Sequence, residues 1–251
     1  MLLLTLFCLT VGVLAGFIGT LLGIGGGSLT TPLLILFGVQ PHQAIAASLI
    51  AIMGTSLGGI YHLFRLGLVN IGLAIFLETA SILGAFLGAH FAIKLPAKAV
   101  TLAVAVALLA SATLFIAVPV EEERRPLLGS TVSRIVAWLT SLVAGFLSAT
   151  AGIGGGILKT PTLTLVVGLS LKNALATSKL MVGITAATGA LVYGLAGHVE
   201  PTIAIPLAVG TYVGASIGAR TLAALKPKHS KTIAVAAYTL LAAILVVKAL
   251  T

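Results

Sequence analysis

One glycine-rich signature occurs twice in this chain, at a constant offset of 129 residues from Gly16 to Gly145. Gly16-Phe17, Gly23-Ile24-Gly25-Gly26-Gly27, Leu29, Thr31 and Pro32 return as Gly145-Phe146, Gly152-Ile153-Gly154-Gly155-Gly156, Leu158, Thr160 and Pro161. After a one-residue slip the match goes on, pairing Ala44, Ala46 and Ser48 with Ala174, Ala176 and Ser178, then Gly84 and Gly88 with Gly214 and Gly218. The two halves are expected to share one fold. Matching Gly/Pro interruptions in apolar segments of duplicated halves point to a transporter-type site between them.

Composition fixes the solvent. The chain is 59% hydrophobic and 8% charged, with mean hydropathy +1.22 and apolar runs of bilayer-spanning length throughout, so an all-α polytopic membrane protein is expected. The first apolar run lacks a basic flank and contains the first copy of the signature, so it is read as structural rather than as a cleaved leader. Cys8 stands alone and implies neither a disulfide nor a thiolate metal site. Five segments per half are predicted, at 3–22, 28–38, 43–64, 71–94 and 99–119, then at 131–151, 157–168, 172–194, 201–225 and 231–250. The second of each set is too short to span and is read as a half-helix, leaving about four full spans per half and 8–10 segments in all. The organisation is thus 1–120 as a first repeat, 121–130 as a charged linker carrying Glu121-Glu122-Glu123-Arg124-Arg125, and 131–251 as a second repeat.

The net charge of +9 does not imply nucleic acid, because the cations are scattered at helix ends. Lys94 and Lys98 in one half, and Lys226, Lys228 and Lys231 in the other, occupy equivalent turns. If both turns lie on the cytoplasmic side, each half makes an even number of crossings; inverted halves are the alternative.

A Gly-Ile-Gly-Gly-Gly run holds a helix poorly and frees backbone N–H groups at the start of the next helix, where the partial positive charge suits an anion. Such backbone is tolerated at membrane depth only inside protein or along a wet cavity. Two readings stand: Gly25, Gly26 and Gly27 with Gly154, Gly155 and Gly156 bind a substrate, or they merely permit close helix packing. Thr31, Ser48, Thr160, Thr177 and Ser178 add hydroxyls. Lys159 and Lys179 place cations inside apolar segments where the first half has Thr30 and Leu49. Intramembrane charge is expensive and usually faces a cavity or a partner, so these lysines favour an anionic substrate, with snorkelling to the interface as the bland alternative. Glu78, the one acidic residue well inside a predicted span, is a candidate for proton coupling or the counter-ion of Lys179 or Arg220. Trp138 and Arg134 suit an interfacial anchor. Gly156-Ile157-Leu158-Lys159-Thr160 is not a phosphate loop, since no Gly precedes the Lys and the chain has no Asp. No metal-ligand spacing, cofactor motif or nucleophile–base pair is present in the sequence, so an enzyme is not expected.

The doubled Gly-x-Gly-Gly-Gly with Thr-Pro, followed by Ala-x-Ala-x-Ser, resembles the sulfite exporter TauE/SafE family, also called the 4-toluene sulfonate uptake permease family. The resemblance covers nearly the whole chain. It implies a multi-pass transporter in the inner (cytoplasmic) membrane that moves sulfite, sulfoacetate or other organosulfonates, in either direction. The motif positions carry over as Gly25, Gly26, Gly27 and Pro32, and as Gly154, Gly155, Gly156 and Pro161; Lys159 stands where an apolar residue is expected. A secondary anion transporter is the resulting expectation, with a passive anion channel as the alternative. Its partners are a small anion and the lipid bilayer, no nucleic acid, and homodimer formation is left open.

Overall fold

The computed structural model describes residues 2–21, 25–117, 130–224, 239–240 and 242–247. Among them the chain is helical: α1 (Leu2–Leu21), α2 (Gly27–Leu36), α3 (Pro41–Arg65), α4 (Ile71–Ile93), α5 (Ala97–Ala117), α6 (Ser130–Ala151), α7 (Gly156–Pro161), α8 (Leu171–Leu195) and α9 (Pro201–Ala224). A π-helical turn, Thr162–Val166, continues α7. Six helices are long and apolar enough to cross a bilayer, and the chain is a polytopic membrane protein. The linker expected at 121–130 lies outside the described residues except for Ser130, as do Lys226, Lys228 and Lys231. The last expected segment, 231–250, is described only at 239–240 and 242–247, which are helical.

The short segments are half-helices, as their length dictates. The second one, however, is not the single helix expected over 157–168. Pro161 has no N–H to continue the ladder, and the register slips so that Val167 N–H bonds Thr162 O, five residues back, at 3.1 Å.

The long helices meet through faces rich in small residues, although Ile45, Leu49 and Ile52 of α3 and Tyr193 of α8 are buried as well. On α4, Ala74, Ser81, Gly84, Ala85 and Gly88 are buried while Ile75, Leu83, Phe86 and Phe91 are exposed. Lipid is as apolar as these side chains, so close backbone packing rather than water exclusion holds the helices together. A Cβ at Gly84 or Gly88 would overlap the backbone of Leu142 or Phe146 on α6. At Gly214 or Gly218 it would overlap that of Val13 or Phe17 on α1. Positions 130 residues apart thus make equivalent contacts, α4 against α6 and α9 against α1.

Helix directions follow from contacts at the two ends of the bundle. The ring of Phe37, just past α2, lies 4.0 Å from that of Phe7 and tilted to it, so α2 runs back towards the start of α1. His42 at the start of α3 contacts Ala92 O at 3.2 Å and stacks on His198 at 5.1 Å, placing the end of α4 and the α8–α9 turn at this histidine end. At the opposite end Asn70 N–H donates to Thr177 Oγ1 at 3.0 Å, and Leu21, Leu63, Leu175 and Ala219 pack together. The α1–α2 hairpin returns the chain to its starting end. Hence α3 and α4 cross in turn and α5 departs from the histidine end, whereas α6 begins at the Asn70 end, where Trp138 Nε1 donates to Thr79 Oγ1 at 3.0 Å.

This corrects the expectation drawn from the lysine-rich turns. Lys94 and Lys98 lie at the histidine end, but α9 runs from that end towards the Asn70 end, so the helices preceding the two turns finish on opposite sides. The hairpin is the reason: it contributes no net crossing.

Two outcomes follow. In a Cys8→Ser background, single cysteines at Ala97 and Ala196 are expected to react with an impermeant maleimide from one side of the membrane and a cysteine at Leu66 from the other; labelling of all three from one side would refute the arrangement. The second concerns His198, which lies outside the spans. Burial, then the neighbouring His42, holds its imidazole below the usual histidine range. A folded value below the unfolded one means this stabilisation is present above about pH 6.5 and lost as pH falls. The melting temperature of the wild type should therefore drop more between pH 7.5 and 5.5 than that of His198→Gln, and equal drops would remove His198 from the cause.

Candidate functional site

The two glycine loops meet inside the bundle. Gly25 and Gly26 (φ 84° and 77°) and Gly154 and Gly155 (φ 88° and 65°) adopt the left-handed backbone that lets the chain reverse between a long helix and a half-helix. Thr31 Oγ1 on α2 donates to Gly152 O at 2.8 Å, tying one loop to the other half-helix. A Cβ at Gly27 would sit 2.5 Å from that same Gly152 carbonyl oxygen. Backbone therefore touches backbone where α2 and α7 begin. Of the first-turn N–H groups, Leu29 bonds the loop carbonyl of Gly26 at 3.0 Å and Leu158 that of Gly155 at 3.2 Å, and the positive ends of both helix dipoles fall at this junction.

The wall around the junction is apolar apart from a few hydroxyls. Ile45 and Ile52 of α3 lie against Gly152 and Gly25, respectively, and Val182 of α8 also faces Gly25. Ser48 falls between Ile45 and Ile52 on the same stripe of α3. Its hydroxyl is fully buried and has no hydrogen-bond partner among the described residues, and the same holds for Thr160 Oγ1 on α7 and for Ser148 Oγ, whose Cβ flanks Gly155. Buried unpartnered hydroxyls are uncommon and call for an explanation. Ser148 was not singled out in the sequence, since its counterpart is Gly19.

Both lysines are buried, at 1% exposure each, which excludes snorkelling. Lys159 Nζ bonds Glu78 Oε1 at 2.5 Å and also contacts Thr185 Oγ1, which donates to Glu78 Oε2 at 2.7 Å. The counter-ion of Glu78 is thus Lys159, not Lys179 or Arg220 as the sequence reading allowed. The reason is geometric: α7 folds back beside α4 and α8, so a residue in the first turn of the half-helix reaches the carboxylate. Thr185 and its counterpart Thr55 are matched threonines at the 130-residue offset, a signal that could have been read. At the repeat-related place, formed by α9, α2 and α3, the acid and base are replaced by Ala208 and Thr30, and Thr55 donates to Ala51 O at 3.0 Å.

Lys179 lies elsewhere. Its Nζ donates to Thr20 Oγ1 at 2.5 Å, near the end of α1 and just ahead of the first glycine loop, and it lies one helical turn from Val182. Thr177 is engaged at the Asn70 end with Asn70 N–H, away from the glycine junction. Ser178 is buried beside it. Arg134 lines a cleft of about 530 Å³ at the Asn70 end with Asn70, Phe76 and Val167, in keeping with an interfacial place.

A buried ion pair that loses one partner leaves an uncompensated charge costing about 3–5 kcal/mol. Glu78→Leu and Lys159→Met singly should lower stability to SDS titration in mixed micelles by that order, and the double variant should recover much of it; additive losses would show that the pair is not a unit.

Comparison with known proteins agrees with this architecture. A family model described as Sulfite exporter TauE/SafE matches residues 8–246. The chain is 30% identical over 212 residues to the "Probable membrane transporter protein YdhB" of Bacillus subtilis, covering 83% of this chain and 85% of that protein. It is 32% identical over 228 residues to a "Probable membrane transporter protein" of Xylella fastidiosa, covering 88% and 85%. With the "Probable membrane transporter protein YfcA" of Escherichia coli K12 it shares 25% identity over 213 residues, covering 84% and 77%. No solved structure matches the chain.

Proposed function

The chain belongs to the sulfite exporter TauE/SafE family of membrane transporters, and we propose that it carries a small sulfur-containing anion, such as sulfite, sulfoacetate or another organosulfonate, across the cytoplasmic membrane. The observation that carries this reading is the meeting of the two glycine loops, which puts the starts of two half-helices face to face inside the bundle. The halves are read as inverted repeats, 1–120 and 131–251, joined by the linker 121–130, with the site between them. An anion there accepts from the backbone around Gly25–Gly27 and Gly154–Gly156, from Ser48 and Thr160, whose hydroxyls lack other partners, and from Lys179. Thr31 and Lys159 act one step back, holding the loops and the α4–α7–α8 contact in place.

The chain has no nucleotide-binding motif in its sequence, so the reading is of a secondary transporter driven by gradients. Alternating access then corresponds to rocking of one half against the other about the junction.

Calorimetric binding to the purified protein, run against sulfite, sulfoacetate, taurine, thiosulfate and sulfate, tests the substrate class. At least one sulfur anion should bind and exchange in liposomes, and Gly27→Ala, whose methyl group forces the loops apart, should lose that exchange while still inserting. Binding of none of them, or full exchange by Gly27→Ala, would overturn the assignment.

A further inference from the structure

Glu78 is the acidic residue that sequence reasoning offers for proton coupling, but both its oxygens are taken, one by Lys159 and one by Thr185. Lys179 is different. It is buried within a membrane-spanning helix, and among the described residues it has no carboxylate partner.

The hydrogen-bond inventory around Lys179 is short. Thr20 Oγ1 gives its own proton to Gly16 O at 2.7 Å and so accepts from Nζ. The stem lies in the groove that Gly59 leaves open, where a Cβ would stand 2.5 Å from Cε, and Ser56 Oγ is occupied in donating to Lys179 O at 2.8 Å. An ammonium has three N–H donors, whereas among the described residues this pocket supplies one acceptor, Thr20 Oγ1. The other titratable or charged groups on the surrounding helices are Cys8 on α1, His42, Tyr61, His62 and Arg65 on α3, Glu78 and His90 on α4, Lys172 and Tyr193 on α8, and Tyr212 and Arg220 on α9. Among the described residues none of them bonds Nζ. The empty pocket therefore suits a neutral amine with one hydrogen bond. An anion at the first glycine loop, one helical turn away along α8, would supply the missing acceptors and the counter-charge.

We propose that Lys179 is the proton-coupling residue of the transporter, its amine taking up a proton together with the anion and giving it back when the anion leaves. The inference rests on the anion-transport reading above. The step balances simply: the nitrogen lone pair binds a proton from water on the side open to the site, the ammonium and the anion cross as a pair, and the proton returns to water on the far side with no electron transferred. Binding of anion and proton are then linked, each strengthening the other.

Sulfoacetate is a suitable probe, because its sulfonate and carboxylate both stay ionised above about pH 6. Calorimetry on the purified wild type in buffers of different ionisation enthalpy should show about one proton taken up per sulfoacetate bound, and affinity should fall about tenfold per pH unit in the alkaline range. In liposomes containing a pH-sensitive dye, inward sulfoacetate transport should acidify the lumen. Lys179→Arg, which stays cationic, should bind sulfoacetate without proton uptake, and Lys179→Met should bind more weakly with no pH dependence of affinity. Wild-type binding or net inward transport of sulfoacetate without proton uptake, or either variant retaining the wild-type proton count, would sink the inference while leaving the anion-transport reading intact. Failure of the wild type to bind or exchange any of the sulfur anions named above would instead defeat that reading, and this inference with it.

Discussion

Everything in this bundle depends on where the backbone is allowed to leave the helix. A broken helix in hydrocarbon leaves N–H and C=O groups that lipid cannot satisfy, at several kcal/mol per group, so the chain breaks only where protein supplies the partners. The two glycine loops meet this demand by meeting each other. Thr31 bonds the Gly152 carbonyl, and Gly27 is small enough to leave that carbonyl within reach. Among the described residues the hydroxyls of Ser48 and Thr160 are left without partners there, and on the proposed reading a small anion satisfies them. On that reading the demands of folding in lipid and of binding an anion fall on the same few residues.

Charge is placed under the same economy. Glu78 and Lys159 neutralise each other across α4 and α7, with Thr185 filling the third corner, so the half-helix that follows the second glycine loop is clamped by an ion pair. The other half-helix has no such clamp: Thr30 on α2 and Ala208 on α9 occupy the matching positions. The clamp thus fixes α7 to α4 and α8, whereas α2 is held by Thr31 and by packing on α3 and α1. The two hairpins are alike in outline and differ in what holds them, an ion pair for α7 and a threonine hydrogen bond for α2.

Much of this was legible in the sequence because the signals were short-range. Triple glycines followed by Thr-Pro located both loops, and length alone separated half-helices from spans. What escaped depended on how the chain folds back. Sidedness was misread because counting crossings from lysine-rich turns treats α1 as a full passage, when α2 returns it to the end it came from. The partner of Glu78 was misassigned because nothing local brings residue 159 beside residue 78; that contact exists only once α7 has packed between α6 and α8. Thr20 gave no signal, since its counterpart is Ala149 and a lone threonine at a helix end is commonplace.

The difference between the two lysines bears on how such a carrier could reset. Moving one elementary charge through a 100 mV potential changes the free energy by about 2.3 kcal/mol, and an uncompensated ammonium at membrane depth adds its own insertion cost of about 2.5–3.5 kcal/mol. Lys159 avoids both penalties by travelling with Glu78. Lys179 has only a hydroxyl for company, so a permanently charged Lys179 would favour return of the site only when loaded, making the protein an obligate exchanger. An amine that gives up its proton with the departing anion lets the empty site return without that penalty. On this reading net transport, rather than exchange alone, depends on Lys179 facing Thr20 instead of a carboxylate.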